Sequence, residues 1–588
     1  MNKNKLKTLS LAAAISSAAF SIFCLTYHLD ISLIAFPIAL IITGACYFTG
    51  YYKLFTKNEL KYISIFQEVL QYLPYVLLIA FVMRRAGNFG TSYAIDFIAI
   101  VFWIIVFVLS QVNVHYFNVK KIGAIDSEWK KYADNHGLSS YRGKKRVLME
   151  ILSWGDALVQ AVLMVVVLNI FIVQLYVIPS ESMVPEFLIN DRVVVFKITS
   201  GPKFPLSNVG FPDLKKYKRG DIVVFRNPNY SDDRQSEVKS FLSQIVTMLT
   251  LTKVNLNTDE NGQVKADPLV KRVCGIPGEQ LMMQDGVLYS RTKESDEWKA
   301  VEMDAKYAEW NLNQVKPSLR KNNGIQDYPL NQKEYEEMID FEEQRRNFDV
   351  TVFAKEAQNI SRQFRLCYER YGNHNDASDL NEYFDSNNRF EFALFMNRYK
   401  NAELLLSNKD GWKWFNAFMT EWSKNGKPDF EGNLYEQSNY ILNLMTKQLV
   451  GRLIVREAQL IVEGRPEQSI NRDPGIAEIM NEAKSLHNYI VLLDRRNMPA
   501  FPENDSEGKP QYIPENCFFM MGDNRFNSQD MRHCYNPYMA DLTKYDPYSV
   551  TYYSNMKPRY VHKNKILGSP SYRFWPMERR GVPGFTGK

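Results

Sequence analysis

The segment that decides the fold is ALVQAVLMVVVLNIFIVQLYVIPSESMVP, residues 157–185. Its first part, Ala157 to Ile178, contains no Asp, Glu, Lys or Arg. It is long enough to cross a bilayer as a helix, which takes about 20 apolar residues. Two prolines and two serines follow at once, between Pro179 and Pro185. The segment therefore predicts a membrane-spanning helix that carries a serine-containing turn directly to the membrane surface.

Other stretches of bilayer length precede this one. Ser10–Tyr27, Ile31–Tyr52 and Phe97–Val119 also lack acidic and basic residues, whereas Tyr62–Met83 is a weaker candidate because Glu68 interrupts it. Together with residues 157–178, these stretches predict five membrane spans.

The basic residues predict how the spans are oriented. They concentrate at the N-terminus, in the loop from Lys53 to Lys61, and between Lys120 and Arg146. Five spans with an internal N-terminus place all three regions in the cytoplasm, so that the chain after residue 178 lies outside. Arg84 and Arg85 conflict with this arrangement, because they fall on the outer side.

Beyond residue 178 the sequence changes to short runs rich in Val, Ile, Phe and Met with turn residues between them, which predicts strands. These runs are Arg192–Lys197, Ile222–Phe225, Leu281–Met283, Val287–Ser290 and Cys517–Met521. One further apolar segment, Ser240–Thr252, suits either a membrane surface or groove, or an ordinary core position.

Between the last two strand runs, apolar residues recur every three or four positions, which predicts helices. The segments are Gln332–Gln344, Val350–Tyr371, Phe390–Leu406, Trp412–Lys424 and Tyr435–Gly464. We therefore expect a multi-span α-helical membrane region (1–155), a final transmembrane anchor (156–178), and a mainly-β domain in two parts (179–291 and 511–588). A large α-helical insertion (292–510) separates the two parts.

Composition excludes two classes of function. The net charge is +6, and the basic and aromatic residues form no stripe of the kind that binds nucleic acid. The six cysteines match no zinc spacing and include no Cys-x-x-Cys pair, so they indicate no cysteine-ligated zinc site. Cys517 and Cys534 flank one motif, and either a disulfide or two free thiols fits their spacing.

Lys271 is the candidate partner of a serine nucleophile. It lies in LVKRVCGIPGE (269–279), where apolar neighbours predict partial burial. Burial lowers a lysine pKa, and the adjacent Arg272 is expected to lower it further by charge repulsion. Such an amine can accept a proton from the hydroxyl of Ser182, and the seven histidines suggest no Ser-His-Asp alternative.

A polar loop, GDNRFNSQDMR (522–532), follows the apolar strand that ends at Met521. With it, four segments resemble the conserved boxes of bacterial signal peptidase I. The pattern Pro-Ser-x-Ser-Met-x-Pro matches 179–185, Arg-Gly-Asp-Ile-Val matches 219–223, and Lys-Arg-x-x-Gly-x-Pro-Gly-[Asp/Glu] matches 271–279. The pattern Met-Gly-Asp-Asn-Arg-x-Asn-Ser-x-Asp-x-Arg matches 521–532. The resemblance covers the β domain and the final span. It does not cover the earlier spans, and it covers the insertion only loosely.

The resemblance implies a signal-peptidase-like catalytic β domain in which Ser182 is the nucleophile and Lys271 the general base. It places the Ser180 hydroxyl and the Ser182 backbone N–H in the oxyanion hole, and it assigns Ser528 to orienting the lysine. Met183 corresponds to a residue beside the substrate pockets. The residues that correspond to the supporting network are Arg272, Gly522, Asp523, Asp530 and Arg532. Phe526 and Met531 depart from the family pattern, since an aspartate and a small polar residue are common there.

The implied activity is removal of N-terminal signal peptides from exported preproteins through an acyl-enzyme, with no metal or cofactor. The implied location is the bacterial cytoplasmic (inner) membrane, with the catalytic domain on the extracytoplasmic side. Expected partners are preprotein signal peptides and the lipid bilayer, and the protein-export channel is a further candidate. Two alternatives stay open: a specialised maturation protease with few substrates, and a non-catalytic membrane scaffold. The presence of Ser182, Lys271 and Ser528 argues against the scaffold.

Overall fold

The computed structural model of the chain describes residues 2–25, 31–86, 91–117, 121, 125–136, 140–230, 233–250, 253–259, 262–308, 317, 330–376, 379–424, 426 and 428–584. The N-terminal helices are α1 (Lys3–Phe23), α2 (Ala35–Cys46, continued by a π-helical segment Tyr47–Thr56), α3 (Tyr62–Arg85), α4 (Tyr93–Tyr116), α5 (Ser127–His136) and α6 (Gly143–Phe171).

Five helices in the described part of the chain are long and apolar enough to cross a membrane: α1, α2 with its π-helical continuation, α3, α4 and α6. They correspond to the five predicted spans. Helix α3, which contains the weakest candidate, is the most buried of the five within the bundle. Glu68, which interrupts the predicted span, lies on the exposed side of this helix.

The last predicted span, Ala157–Ile178, is wrong at its C-terminal end. Helix α6 stops at Phe171, and Val173–Val177 forms strand β1. This strand pairs antiparallel with strand β2, from Val173 opposite Phe196 to Val177 opposite Arg192. Hydrophobic content cannot separate the end of a membrane helix from an apolar strand, because both satisfy the same composition.

Arg84 and Arg85, which conflict with the predicted orientation, lie against an acidic residue within the bundle. Arg85 is buried and its guanidinium contacts Asp96 at the start of α4, while Arg84 Nη1 lies 3.7 Å from the same carboxylate. Ser207 Oγ donates a hydrogen bond of 2.8 Å to Asp96 Oδ2. A buried charge is tolerated when it is paired and hydrogen-bonded, which explains how both arginines lie at the end of the bundle, and the orientation of the spans stays a prediction.

The β domain contains three sheets. Its strands are β1 (Val173–Val177), β2 (Arg192–Phe196), β3 (Ile222–Phe225), β4 (Leu269–Gly275), β5 (Glu279–Gln284), β6 (Val287–Thr292), β7 (Ser295–Ala300), β8 (Met498–Phe501), β9 (Cys517–Met521), β10 (His533–Asp541), β11 (Thr551–Met556), β12 (Val561–His562) and β13 (Ile566–Trp575). The seven-stranded sheet has the order β1-β2-β13-β3-β4-β9-β12, and the smaller sheets are β7-β6-β5-β8 and β10-β11. Strand β4 is therefore central, with β3 and β9 on either side.

Helix α7 (Arg234–Leu249) contains most of the apolar segment predicted at 240–252. Its Phe241 is buried in the same apolar cluster as the membrane helices. The segment thus packs against the end of the bundle.

Further helices lie between β7 and β8. They are α8 (Glu302–Ala308), α9 (Gln332–Arg346), α10 (Val350–Tyr371), α11 (Leu380–Tyr383), α12 (Glu391–Met396), α13 (Arg398–Ser407), α14 (Gly411–Thr420), α15 (Leu434–Val462), α16 (Glu467–Ile470) and α17 (Pro474–Arg496). Their apolar faces form one buried cluster. The helical part is narrower than the predicted 292–510, because β7 and β8 within that range belong to the sheet built around β5.

Candidate active site

Ser182 and Lys271 meet although 89 positions separate them. Ser182 lies in the turn between β1 and β2, and Lys271 lies on the central strand β4, opposite Val223 of β3. Lys271 Nζ donates a hydrogen bond of 2.7 Å to Ser182 Oγ. The lysine is only 3% exposed, so its amine is held against the serine inside the protein.

Burial lowers the pKa of Lys271 to about 8. The carboxylates of Asp530 and Asp523 act in the opposite direction, and the guanidinium of Arg532 adds to the lowering. An amine with this pKa is partly neutral near physiological pH and can accept a proton.

The prediction that Arg272 lowers the pKa of Lys271 is wrong. Its Nε and Nη2 atoms donate to the two Asp523 carboxylate oxygens at 2.7 and 2.6 Å, and its Nη1 donates to the Gly220 carbonyl at 2.7 Å. The neighbouring positive charge that does lower the Lys271 pKa comes from Arg532. Adjacent residues on a strand point to opposite faces, which separates the two side chains despite their sequence proximity.

Asp530 supports the loop that lies against the lysine. It accepts hydrogen bonds from the Gly522 backbone N–H at 2.8 Å and from Arg532 Nε and Nη2 at 2.9 and 3.0 Å. Burial alone would raise the pKa of Asp530, but the Arg532 guanidinium and the Gly522 N–H hold it well below its usual range. The carboxylate therefore stays ionised.

The turn that carries Ser182, the predicted nucleophile, is held from the same loop. Asn524 donates its backbone N–H to the Ser182 carbonyl and its side-chain amide to the Glu181 carbonyl, both at 3.2 Å. Ser180 is exposed, and its hydroxyl lies 3.4 Å from Ser182 Oγ. Both serine hydroxyls thus face the same small space.

Ser528 is fully buried beside this turn, but the expected hydrogen bond to Lys271 is absent. Its hydroxyl has no hydrogen-bond partner among the residues that the structure describes. A Cβ atom at Gly522 would lie 2.2 Å from Ser528 Oγ and 2.4 Å from the Ser182 carbonyl oxygen. Glycine is therefore required at 522 for the loop to approach the nucleophile turn.

Met183 is buried, in a cluster that includes Ile178, Phe187 and Val193. It anchors the nucleophile turn to the sheet, and its position beside a substrate pocket stays a prediction.

One functional contact was missed from the sequence. Asp304 of α8 binds Arg525 through both carboxylate oxygens at 2.7 Å, and Arg525 Nε donates to the Gly522 carbonyl at 3.0 Å. Arg525 in the segment 521–532 indicated that a carboxylate partner was needed, but no feature of the sequence around Asp304 identified it as that partner.

The end of the helical region contacts the loop as well. Arg532 Nη1 donates to the Arg495 carbonyl at 2.9 Å, and His533 Nε2 lies 3.0 Å from the Asp494 carbonyl oxygen. Phe526, one of the two departures from the family pattern, is buried in the helical core with its ring centroid 6.2 Å from that of Tyr335. The inserted helices therefore pack directly against the loop that supports Lys271.

The cysteine side chains form no disulfide. All six cysteines, including Cys517 and Cys534, are buried free thiols. Within the described ranges, no group of three or more His, Cys, Asp or Glu side chains is arranged to hold a metal ion.

Comparison with known proteins gives matches to one family. Residues 151–355 match the family model described as signal peptidase, peptidase S26. The chain is 38% identical over 89 residues to a signal peptidase I of Buchnera aphidicola subsp. Baizongia pistaciae, which covers 15% of this chain and 27% of the relative. It is 27% identical over 146 residues to a probable signal peptidase I-2 of Synechocystis, covering 25% and 48% of the two chains.

A third relative, a signal peptidase I of Pseudomonas aeruginosa, is 27% identical over 135 residues, covering 23% of this chain and 46% of the relative. The chain thus spans less than half the length of these curated relatives, and no solved structure matches it. The matched region contains both Ser182 and Lys271, and the fold adds residues 521–532 to them. Residues 151–355 of the chain are therefore similar to the signal peptidase family, peptidase S26.

Proposed function

We propose that the protein is a signal peptidase I, a membrane-bound serine endopeptidase that removes N-terminal signal peptides from exported preproteins. The observation that carries this proposal is the 2.7 Å hydrogen bond from the buried Lys271 amine to the Ser182 hydroxyl. The similarity of residues 151–355 to signal peptidases supports the substrate class, and the geometry supports the chemistry.

The proposed reaction is acyl transfer. Neutral Lys271 takes the Ser182 proton as Oγ attacks the scissile carbonyl carbon, forming a tetrahedral oxyanion. The Ser182 backbone N–H and the Ser180 hydroxyl stabilise that oxyanion, and loss of one such donor typically costs about 100-fold to 1,000-fold in turnover. The protonated lysine then gives its proton to the leaving amine. Water, deprotonated by the same lysine, hydrolyses the acyl-enzyme and frees Ser182.

Supporting residues keep the lysine in this role. The Arg272–Asp523 and Arg532–Asp530 pairs neutralise the charges next to Lys271, so that burial dominates its pKa. Ser528 is adjacent to the nucleophile turn, and we propose that its free hydroxyl bonds the lysine when substrate displaces the resting Lys271–Ser182 hydrogen bond.

The position of Ser182 close to the end of α6 fits a substrate whose cleavage site lies near the bilayer surface. Helix α6 ends at Phe171 and the nucleophile follows at Ser182, with β1 between them. We propose that α6 anchors the catalytic domain on the outer face of a bacterial cytoplasmic membrane. Preprotein signal peptides and the bilayer are the proposed partners, and the helical region offers a surface for the export channel.

The test is cleavage of a radiolabelled preprotein by the full chain in detergent–lipid micelles. Ser182→Ala and Lys271→Ala are compared with the native protein, and Lys333→Ala, an exposed lysine on α9, is the matched control. We expect the native protein and the control to release the mature N-terminus, and both site variants to lose activity.

Other outcomes reject the proposal. Cleavage by Ser182→Ala or Lys271→Ala at the native rate would exclude the Ser/Lys assignment. An inert native protein on several unrelated preproteins, with cleavage of a few dedicated ones, would indicate a specialised maturation protease. No cleavage of any preprotein would favour the membrane scaffold.

A further inference from the structure

A cavity of about 360 Å³ lies where the membrane helices meet the β domain. Asn169 and Ile170 at the end of α6 line it, together with Phe241 of α7 and Ile566 at the start of β13. It is separate from the Ser182–Lys271 site, whose residues do not line it.

The cavity is strongly cationic. Among its described lining residues, Glu237 is the one that carries a carboxylate. The basic residues that line it come from three regions of the chain: Lys197 and Lys203, Arg226 and Arg234, and Lys565. Convergence of basic side chains from distant segments means that folding assembles the positive charge, which a solvated surface run would not require.

Lys197 is the clearest sign that an anion belongs in this cavity. It is 7% exposed, and its amine donates to the Asn169 carbonyl at 2.6 Å without forming an ion pair to any carboxylate in the described part of the chain. Burial, with the charge of nearby Arg226, lowers the pKa of Lys197 to about 8. The two neighbouring cations repel one another, and an anion placed between them would relieve that repulsion.

Part of the lining is apolar and continues into the membrane bundle. Phe204 and Leu206 line the cavity, and Phe204 packs against Phe171, the last residue of α6, with ring centroids 4.5 Å apart. The cavity therefore lies level with the end of a membrane-spanning helix, the depth at which phospholipid headgroups sit.

From this geometry we propose that the cavity binds a phosphate group. The two sources of that chemistry are an anionic phospholipid headgroup and free inorganic phosphate. The apolar wall at membrane depth favours the lipid, because it offers a surface to the glycerol and upper acyl chain that inorganic phosphate would leave uncovered.

The experiment uses the full chain in an uncharged detergent, titrated with short-chain phosphatidylglycerol in one arm and inorganic phosphate in the other, with binding followed by phosphorus NMR. The variants are Lys197→Gln and Arg226→Gln, and the control is Arg192→Gln, an exposed arginine on the same strand that does not line the cavity. Arg226 is partly exposed, so its variant keeps the test informative if Lys197→Gln fails to fold.

We expect saturable phosphatidylglycerol binding by the native protein. The affinity should weaken about 10-fold or more in each cavity variant, because each loses a charge-assisted hydrogen bond. It should stay at the native value in Arg192→Gln, which loses none. Equal affinity for inorganic phosphate, with the same dependence on Lys197 and Arg226, would support the phosphate site and overturn the lipid source. Binding that all three variants reduce equally, or that none reduces, would overturn the site itself.

Discussion

Breaking the ion pair between Asp304 and Arg525 tests whether the inserted helices hold the loop 522–532 in place. Asp304→Asn keeps the shape of the side chain and removes its charge. In the native structure both carboxylate oxygens accept from Arg525 at 2.7 Å, and the two side chains are 4% and 2% exposed. Arg525 also donates to the Gly522 carbonyl, next to the nucleophile turn.

The magnitude follows from the burial of the pair. Removing one partner of a buried ion pair costs about 3–5 kcal/mol, whereas exposed pairs contribute roughly 0.2–1 kcal/mol. Asparagine retains one acceptor oxygen, so the lower value, about 3 kcal/mol, is expected for Asp304→Asn. That difference raises the open population of the loop about 100-fold.

Hydrogen–deuterium exchange of a peptide spanning residues 517–533 is the direct assay, with preprotein cleavage measured in parallel. Asp296→Asn is the matched control, because Asp296 also pairs with an arginine, Arg291, but is 79% exposed. We expect exchange to accelerate about 100-fold and cleavage to fall in Asp304→Asn, with little change in the control. Native exchange rates in Asp304→Asn would refute the role of α8 in holding this loop. Faster exchange throughout the membrane helices would show general unfolding instead.

Three further predictions concern the site and its surroundings. Because the neutral amine is the proposed active form, kcat/KM should rise with pH, with a midpoint near the Lys271 pKa of about 8. A midpoint near the ordinary lysine pKa of 10.5 would contradict the buried-base mechanism. Phe526→Asp should lower activity and thermal stability more than Phe526→Leu, because the aspartate places a charge in the helical core. This is expected even though aspartate is common at this position in the family. The double variant Cys517→Ser, Cys534→Ser should keep native activity with and without reductant, and loss of activity on reduction of the native chain would indicate a disulfide.

Helix and strand positions could largely be predicted because they depend on local patterns. Helix α10, for example, forms at Val350–Tyr371, the segment whose apolar spacing predicted it, and strands β3 and β9 match their predicted runs. Residues 172–178 could not be assigned by the same means. Their apolar composition suits a membrane helix and a strand equally, and only the availability of β2 as a partner selects the strand.

By itself, the sequence determined that the chain has apolar helices of membrane length, a mainly-β region after them, and four boxes containing Ser182 and Lys271. Those features depend on runs of neighbouring residues. Only the tertiary structure shows that Ser182 and Lys271 share a hydrogen bond and that Arg532, rather than Arg272, lowers the lysine pKa. It also shows that Asp304 and Phe526 join the insertion to the loop 522–532. These contacts link residues far apart in the chain, and their strength depends on burial, which no short stretch of sequence specifies.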